Sequence, residues 1–156
     1  MSDGSAELTN TFLPGVRPVG ARGRPAIYVA AGEFDRLAYL AQIFPGAGPR
    51  LLAQELDRAM VVDLRRSRRG FVRLGSTVTY LDRDAGLDRD AGQRRTVTLV
   101  VPSHADPEQG KLSVTSPAGA ALIGLSVGDV FGWRGDDGRP RELTVLRVEN
   151  MDQAQP

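Results

Sequence analysis

The sequence predicts an α+β fold: a short N-terminal antiparallel helical hairpin, then a mostly antiparallel, strongly bent sheet wrapping one short helix. Three observations predict it. Apolar residues recur at helical spacing between Glu33 and Met60. From Leu74 onward the period changes to two, with β-branched residues concentrated at Ser76–Leu81 and Arg95–Val101. The stretch Leu112–Trp133 then joins a strand, a capped short helix and a second strand within about twenty residues.

Residues Met1–Gly23 are rich in Gly, Pro, Ser and other small residues without periodicity, so they are expected to form a flexible tail, 1–23. Arg24–Val29 is a short extended lead-in. Phe34, Leu37, Ala38 and Ala41 share one face of a helix from Glu33 to about Phe44, which Pro45-Gly-Ala-Gly-Pro49 interrupts. A second helix, Pro49 to about Met60, places Leu52, Leu56, Ala59 and Met60 together. Residues 24–63 thus read as a helical hairpin whose arms are only about 18 Å long at 1.5 Å per residue.

Residues 64–73 read as a basic linker containing Arg65, Arg66, Arg68, Arg69 and Arg73. Two readings stand: a patch that meets an acidic protein surface or a phosphate backbone, or a solvated connector. No aromatic residues are interleaved, which weakens base-stacking recognition. Residues 74–150 form the second unit. Its first two strands flank an identical tandem repeat, Leu81-Asp-Arg-Asp-Ala-Gly86 and Leu87-Asp-Arg-Asp-Ala-Gly92. Two hexamers cannot build a solenoid, so a lengthened hairpin loop is expected. The Asp-x-Asp pattern does not continue into the spacing of a calcium loop, so the loop is expected to be flexible and metal-free.

Ser103, His104 and Asp106 lie in a turn-rich connector. A serine, histidine and aspartate invite comparison with a triad, but such groups converge from separate rigid elements, and a surface loop is expected instead. In the central corner, Ser116 is a good N-cap, Pro117 fits the first helical position, and Gly124 sits where a left-handed residue stops a helix. Gly135–Pro140 reads as a hairpin turn. In the last strand, Arg141 to Asn150, the apolar phase changes between Val145 and Leu146, which predicts a bulge or burial on both faces. The expected core comprises Val78, Tyr80, Val97, Leu99, Val114, Leu122, Ile123, Val127, Val130, Trp133, Leu143 and Val145.

Composition narrows the function. Hydrophobic residues make up 41% of the chain, enough for a globular core, and no run approaches the roughly 18 apolar residues a membrane span needs. No secretory signal is evident, and a cytoplasmic location without membrane association is expected. There are no cysteines, which excludes disulfides, thiol catalysis and cysteine-zinc sites. A net charge of +1 argues against a protein devoted to coating nucleic acid. Lys111 is the single lysine; a GC-rich coding bias or selection for bidentate arginine contacts would each produce that balance. No cofactor and no metal are expected, and a monomer is.

The run Ser113–Asp129, S-V-T-S-P-A-G-A-A-L-I-G-L-S-V-G-D, closely resembles the C-terminal domain of the GreA/GreB family of bacterial transcript-cleavage factors. The likeness extends more loosely from about Val61 to Val148. The short helical pair, in place of a long coiled coil, gives a layout similar to the regulator of nucleoside diphosphate kinase branch. The resemblance implies an FKBP-like C-terminal domain that docks on RNA polymerase near the rim of its secondary channel. It places the contact at Ser116, Pro117, Ala118 and Gly119; a good helix cap alone would also account for Ser116-Pro117. In the cleavage factors, acids at a coiled-coil tip reach the polymerase active centre and help hold magnesium. Here the tip, Phe44–Arg50, carries no carboxylate, and hard cations need oxygen ligands. Glu55 lies more than a turn back, and Glu33, Asp35 and Asp57 lie nearer the other end, where solvated helix faces account for them.

The sequence therefore predicts a polymerase-binding transcription regulator without catalysis of its own, able to compete with Gre-type factors and making at most indirect nucleic-acid contact. The alternatives are an FKBP-like peptidyl-prolyl isomerase and an interaction module with another partner. An isomerase needs an aromatic-walled pocket, and Phe71, Tyr80, Phe131 and Trp133 are the only aromatics available in the linker and the second unit. No P-loop or phosphate-handling histidine constellation is present, so an effect on nucleoside diphosphate kinase would be indirect.

Overall fold

The computed structural model describes residues 24–66, 70–84, 92–134 and 137–150. The expected tail, Arg68 and Arg69, most of the duplicated loop and part of the Gly135–Pro140 turn lie outside the described residues. The architecture is mixed α+β with a curled, antiparallel-rich sheet.

The chain enters through strand β1 (Tyr28–Ala30), then helices α1 (Ala31–Ile43) and α2 (Ala47–Asp57) and strand β2 (Met60–Val62). Strands β1 and β2 pair in parallel, Tyr28 opposite Met60 and Ala30 opposite Val62. This pairing corrects the expected helix end: α2 stops at Asp57, and the Met60 N–H donates to the Ile27 carbonyl at 2.9 Å. Val61 and Val62, β-branched, continue that pairing, so Met60 is exposed on a strand instead of buried on a helix.

Five strands follow: β3 (Thr77–Asp84), β4 (Gln93–Val100), β5 (Lys111–Ser113), β6 (Val130–Arg134) and β7 (Pro140–Glu149). Their spatial order is β5-β4-β3-β7-β6, antiparallel throughout except for the β4–β5 pair. The phase change in the last strand is a bulge. Thr79 faces Arg147 and Tyr80 faces Val145, so Leu146 is the extra residue and points out of step. Helix α3 (Pro117–Leu122) packs against α2 and β6.

One hydrophobic cluster joins Leu37, Leu51, Leu52 and Leu56 of the helices to Val78, Tyr80, Leu99, Leu122, Phe131, Leu143 and Val145. Two expected core residues are corrected: Val127 is 56% exposed and Val130 42%. Val127 lies in the tight turn before β6, where Gly128 has φ +92°, and Val130 takes the outward side of the β6 alternation while Phe131 turns in. Trp133 and Val97 are half-buried at the cluster's margin. Phe71, Val72 and Arg73, expected in the linker, are buried. Phe71 stacks on Tyr28 at 6.0 Å between ring centroids, and the Val72 N–H donates to the Leu125 carbonyl at 2.9 Å.

The first hexamer of the tandem repeat is largely strand. Asp82 on β3 accepts from Arg95 of β4 at 3.0 Å and from Arg141 of β7 at 2.9 Å, linking three strands. This corrects the reading of Leu81–Asp84 as loop. Opposite charges at diagonal positions across neighbouring strands reinforce the register.

Candidate functional site

The corner between β5 and α3 is fixed by its own short-range bonds. The Ser116 hydroxyl accepts from the Gly119 N–H at 3.0 Å and donates to the Ser113 carbonyl at 2.7 Å. The Ser113 hydroxyl accepts from the Thr115 N–H at 3.0 Å. Pro117 occupies the first helical position, as expected. A Cβ on Gly119 would lie 2.0 Å from the Ser113 carbonyl oxygen, so only glycine allows the helix to turn this close to the strand. At the other end Gly124, at φ +84°, receives the Tyr28 N–H on its carbonyl at 3.1 Å and donates to Val72 at 2.9 Å.

Helix α2 abuts this corner. A Cβ on Gly48 would lie 1.8 Å from the Thr115 carbonyl oxygen. The first turn of α2 and the Ser116-Pro117 corner are therefore in backbone contact and form one surface. Pro117 and Ala118 are half-exposed on it, whereas Gly119 is buried.

The geometry revises how the corner can bind. Pro117 has no N–H, and the Gly119 N–H is taken by Ser116, so the helix start has little left to donate. Six residues also build only a small macrodipole. Recognition at this corner rests on shape and on the side chains around it.

Those side chains come from distant parts of the chain. A hollow of about 190 Å³ beside Pro117 is lined by Arg24, Arg50, Leu51, Trp133 and Arg134 among others. A neighbouring hollow of about 470 Å³ shares Arg24, Trp133 and Arg134. Behind them Glu55 is fully buried and holds Arg24 at 2.7 Å and Arg58 at 2.6 Å. The Arg24 guanidinium also lies 5.3 Å from the centre of the Phe131 ring. No local spacing in the sequence brings Arg24, Arg50 and Arg134 together; the packing of α3 against α2 and β6 does.

Of the basic run, the described residues Arg65, Arg66 and Arg73 do not share one exposed surface. Arg65 and Arg66 are exposed in the turn after β2, where the Asp63 carboxylate accepts the Arg65 N–H at 2.9 Å. Arg73 is 8% exposed, and its N–H donates to the buried Ser76 hydroxyl at 2.7 Å. Arg73 is thereby corrected from a contact residue to a buried one, because the neighbouring Phe71 and Val72 anchor that segment in the interior. Ser103 and His104 are exposed in a 3-10 turn, and the Asp106 carboxylate caps the next one through the Glu108 N–H at 3.2 Å. Of the four aromatics weighed for an isomerase pocket, Phe71, Tyr80 and Phe131 are buried in the core, and Trp133 lines the hollows. Among the described residues, no group of three or more His, Asp or Glu side chains is placed to hold a metal ion, and no helix is long and apolar enough to cross a membrane.

Residues 67–150, more than half of the chain, match the family described as transcription elongation factor, GreA/GreB, C-term. The Escherichia coli K12 protein named regulator of nucleoside diphosphate kinase is 31% identical over 134 residues, covering 84% of this chain and 94% of that protein. Transcription elongation factor GreA of Chloroflexus aggregans is 35% identical over 118 residues, covering 76% of this chain and 70% of GreA. Among solved structures, the prokaryotic transcription elongation factor GreA/GreB from Nitrosomonas europaea superposes with a TM-score of 0.59 at 30% identity, covering 80% of this chain and 98% of that one. The match includes the whole Ser113–Asp129 run together with the strands that carry it, and the chain belongs to the GreA/GreB family.

Proposed function

We propose that the protein is a non-catalytic regulator of transcription that binds RNA polymerase at the rim of its secondary channel. Its C-terminal unit, FKBP-like in this reading, docks through Ser116, Pro117, Ala118 and Gly119. The observation that carries the reading is family membership through the segment that builds this corner, together with the corner's rigidity. A site held by Ser116 capping and by two glycine-only approaches loses little conformational freedom on binding.

The short helical pair supports the reading without catalysis. Helices of 13 and 11 residues reach about 20 and 17 Å at 1.5 Å per residue. The intervening Phe44-Pro45-Gly46 carries no carboxylate for a cation. The pair occupies the channel mouth and competes there with longer Gre-type factors. Arg65 and Arg66 add at most a peripheral contact to nucleic acid. The prolyl-isomerase alternative is disfavoured because three of the four aromatics it requires fill the core.

The test is binding of purified RNA polymerase core by the wild type and by a Ser116→Glu/Pro117→Ala variant, with a Gre-type factor as competitor. Saturable binding that the substitution removes and the competitor displaces is expected, with no stimulated transcript cleavage. Micromolar protein without binding would overturn the reading.

A further inference from the structure

We infer that the docking surface continues from Pro117 into the arginine-lined hollow, and that this hollow receives a carboxylate-bearing side chain of the partner; the inference rests on the polymerase-docking reading above. Arg24, Arg50 and Arg134 line the hollow, and among the described residues no carboxylate does. Arg24 is already neutralised from behind by Glu55. Arg50 and Arg134 are exposed, and among the described residues neither is ion-paired; Arg134 spends one donor on the Gly138 carbonyl at 2.6 Å. Two guanidinium forks thus remain to receive an anion, and planar forks match a carboxylate in bidentate fashion.

The remaining wall is largely apolar, from Ala47, Leu51, Pro117 and Trp133, with Gln54 adding a polar amide. That combination suits a long acidic side chain, with methylenes against the wall and the charged head at the rim. A volume of about 190 Å³ leaves room for one inserted side chain. A nucleic-acid strand would need a groove that tracks several phosphates, with successive bases stacked along it. The surface is preorganised as well. Gly48 presses α2 onto Thr115, so Arg50 and Pro117 approach a partner as parts of one rigid body.

The test compares nucleic-acid-free polymerase core binding by four proteins: wild type, Arg50→Glu/Arg134→Glu, Arg50→Lys/Arg134→Lys, and Ser116→Glu/Pro117→Ala. Charge reversal is expected to weaken binding at least about tenfold and to flatten its salt dependence, as loss of a close interfacial charge pair does. The lysine pair, which keeps the charges and loses the bidentate forks, should bind with an affinity between wild type and the reversal. Thermal unfolding checks that each variant folds; if reversal impairs folding, Arg50→Ala/Arg134→Ala replaces it, with a loss of several-fold expected. Unchanged affinity in the folded arginine variants, with binding still lost in the Ser116/Pro117 variant, overturns the hollow and leaves the docking reading intact. No binding by wild type overturns both. A single-stranded oligonucleotide serves as the contrasting probe: if reversal abolishes its binding and spares the core enzyme, the hollow is a phosphate site and the inference fails.

Discussion

Gly48→Ala should destabilise the protein, although it replaces glycine by the best helix former inside a helix. In an open helix that exchange gains about 1 kcal/mol. At Gly48 the new methyl would sit 1.8 Å from the Thr115 carbonyl oxygen, with two further backbone atoms of that corner at 2.8 Å. Reaching even 3.0 Å requires α2 and the corner to separate by 1.2 Å, since 3.0 minus 1.8 is 1.2. The obstacle is backbone, which cannot rotate away as a side-chain tip does. Overpacking of this kind costs about 1–3 kcal/mol, and a rigid obstacle places it at the upper end. The net expectation is a loss of about 2 kcal/mol, or a fall in Tm of about 4–8 °C for a chain of this size. Gly32→Ala is the internal control, because nothing lies within 4 Å of its Cβ. It should be neutral or stabilising by up to about 1 kcal/mol. Urea and thermal unfolding of both variants decide the matter. Were Gly48→Ala as stable as the wild type, the close seating of α2 on the corner would be wrong, and with it the single rigid docking surface.

Three further outcomes are expected. Ser116→Ala removes the cap of α3 and should cost about 1 kcal/mol, seen as a Tm lower by about 2–4 °C, while Ser116→Asp, which keeps an acceptor, should recover most of it. Glu55→Gln should cost about 1–3 kcal/mol in denaturant unfolding, below the range for fully buried pairs, because Arg24 and Arg58 are 28% and 30% exposed and can turn to water. Tyr80 holds its phenolic proton above the usual tyrosine range, chiefly through burial and next through the charge of Asp82. Its folded pKa is raised, so the stability it contributes is complete below about pH 10 and is lost as pH climbs from there through the folded value. Tyr80→Phe should therefore flatten the alkaline decline in stability; an unchanged slope would show that Tyr80 is not responsible.

The corner was legible in the sequence because its chemistry is local. Ser, Pro and Gly at fixed offsets encode a cap, a first turn and a stop; short-range bonds realise the cap, Pro117 opens the helix, and Gly124 ends it at φ +84°. The change from helical to alternating periodicity likewise marked the helices and the long strands, and the phase slip at Leu146 marked the bulge. Pairing between distant segments left no such trace. Tyr28–Ala30 and Met60–Val62 are each too short to show alternation, and their parallel pairing depends on two helices folding between them. The arginine hollow was hidden for the same reason: Arg24, Arg50 and Arg134 are separated by most of the chain. Arg73 misled because a run of arginines reads as uniformly solvated, whereas the Phe71-Val72 beside it pulls that end inward.

The parallel β1–β2 pair has a consequence for how such proteins vary in size. Both ends of the helical excursion are tied at one base: β1 leads directly into α1, and three residues after α2 the Met60 N–H bonds back to Ile27. The opposite end, Phe44-Pro45-Gly46, closes no pairing of this kind. Residues added there in matched numbers to both helices would lengthen them by 1.5 Å each, leaving the base, the core and the Ser116-Pro117 corner as they are. Reach becomes a dial set at the tip, independent of anchorage, so a blocker of a channel mouth and a probe of its depths can share one foundation.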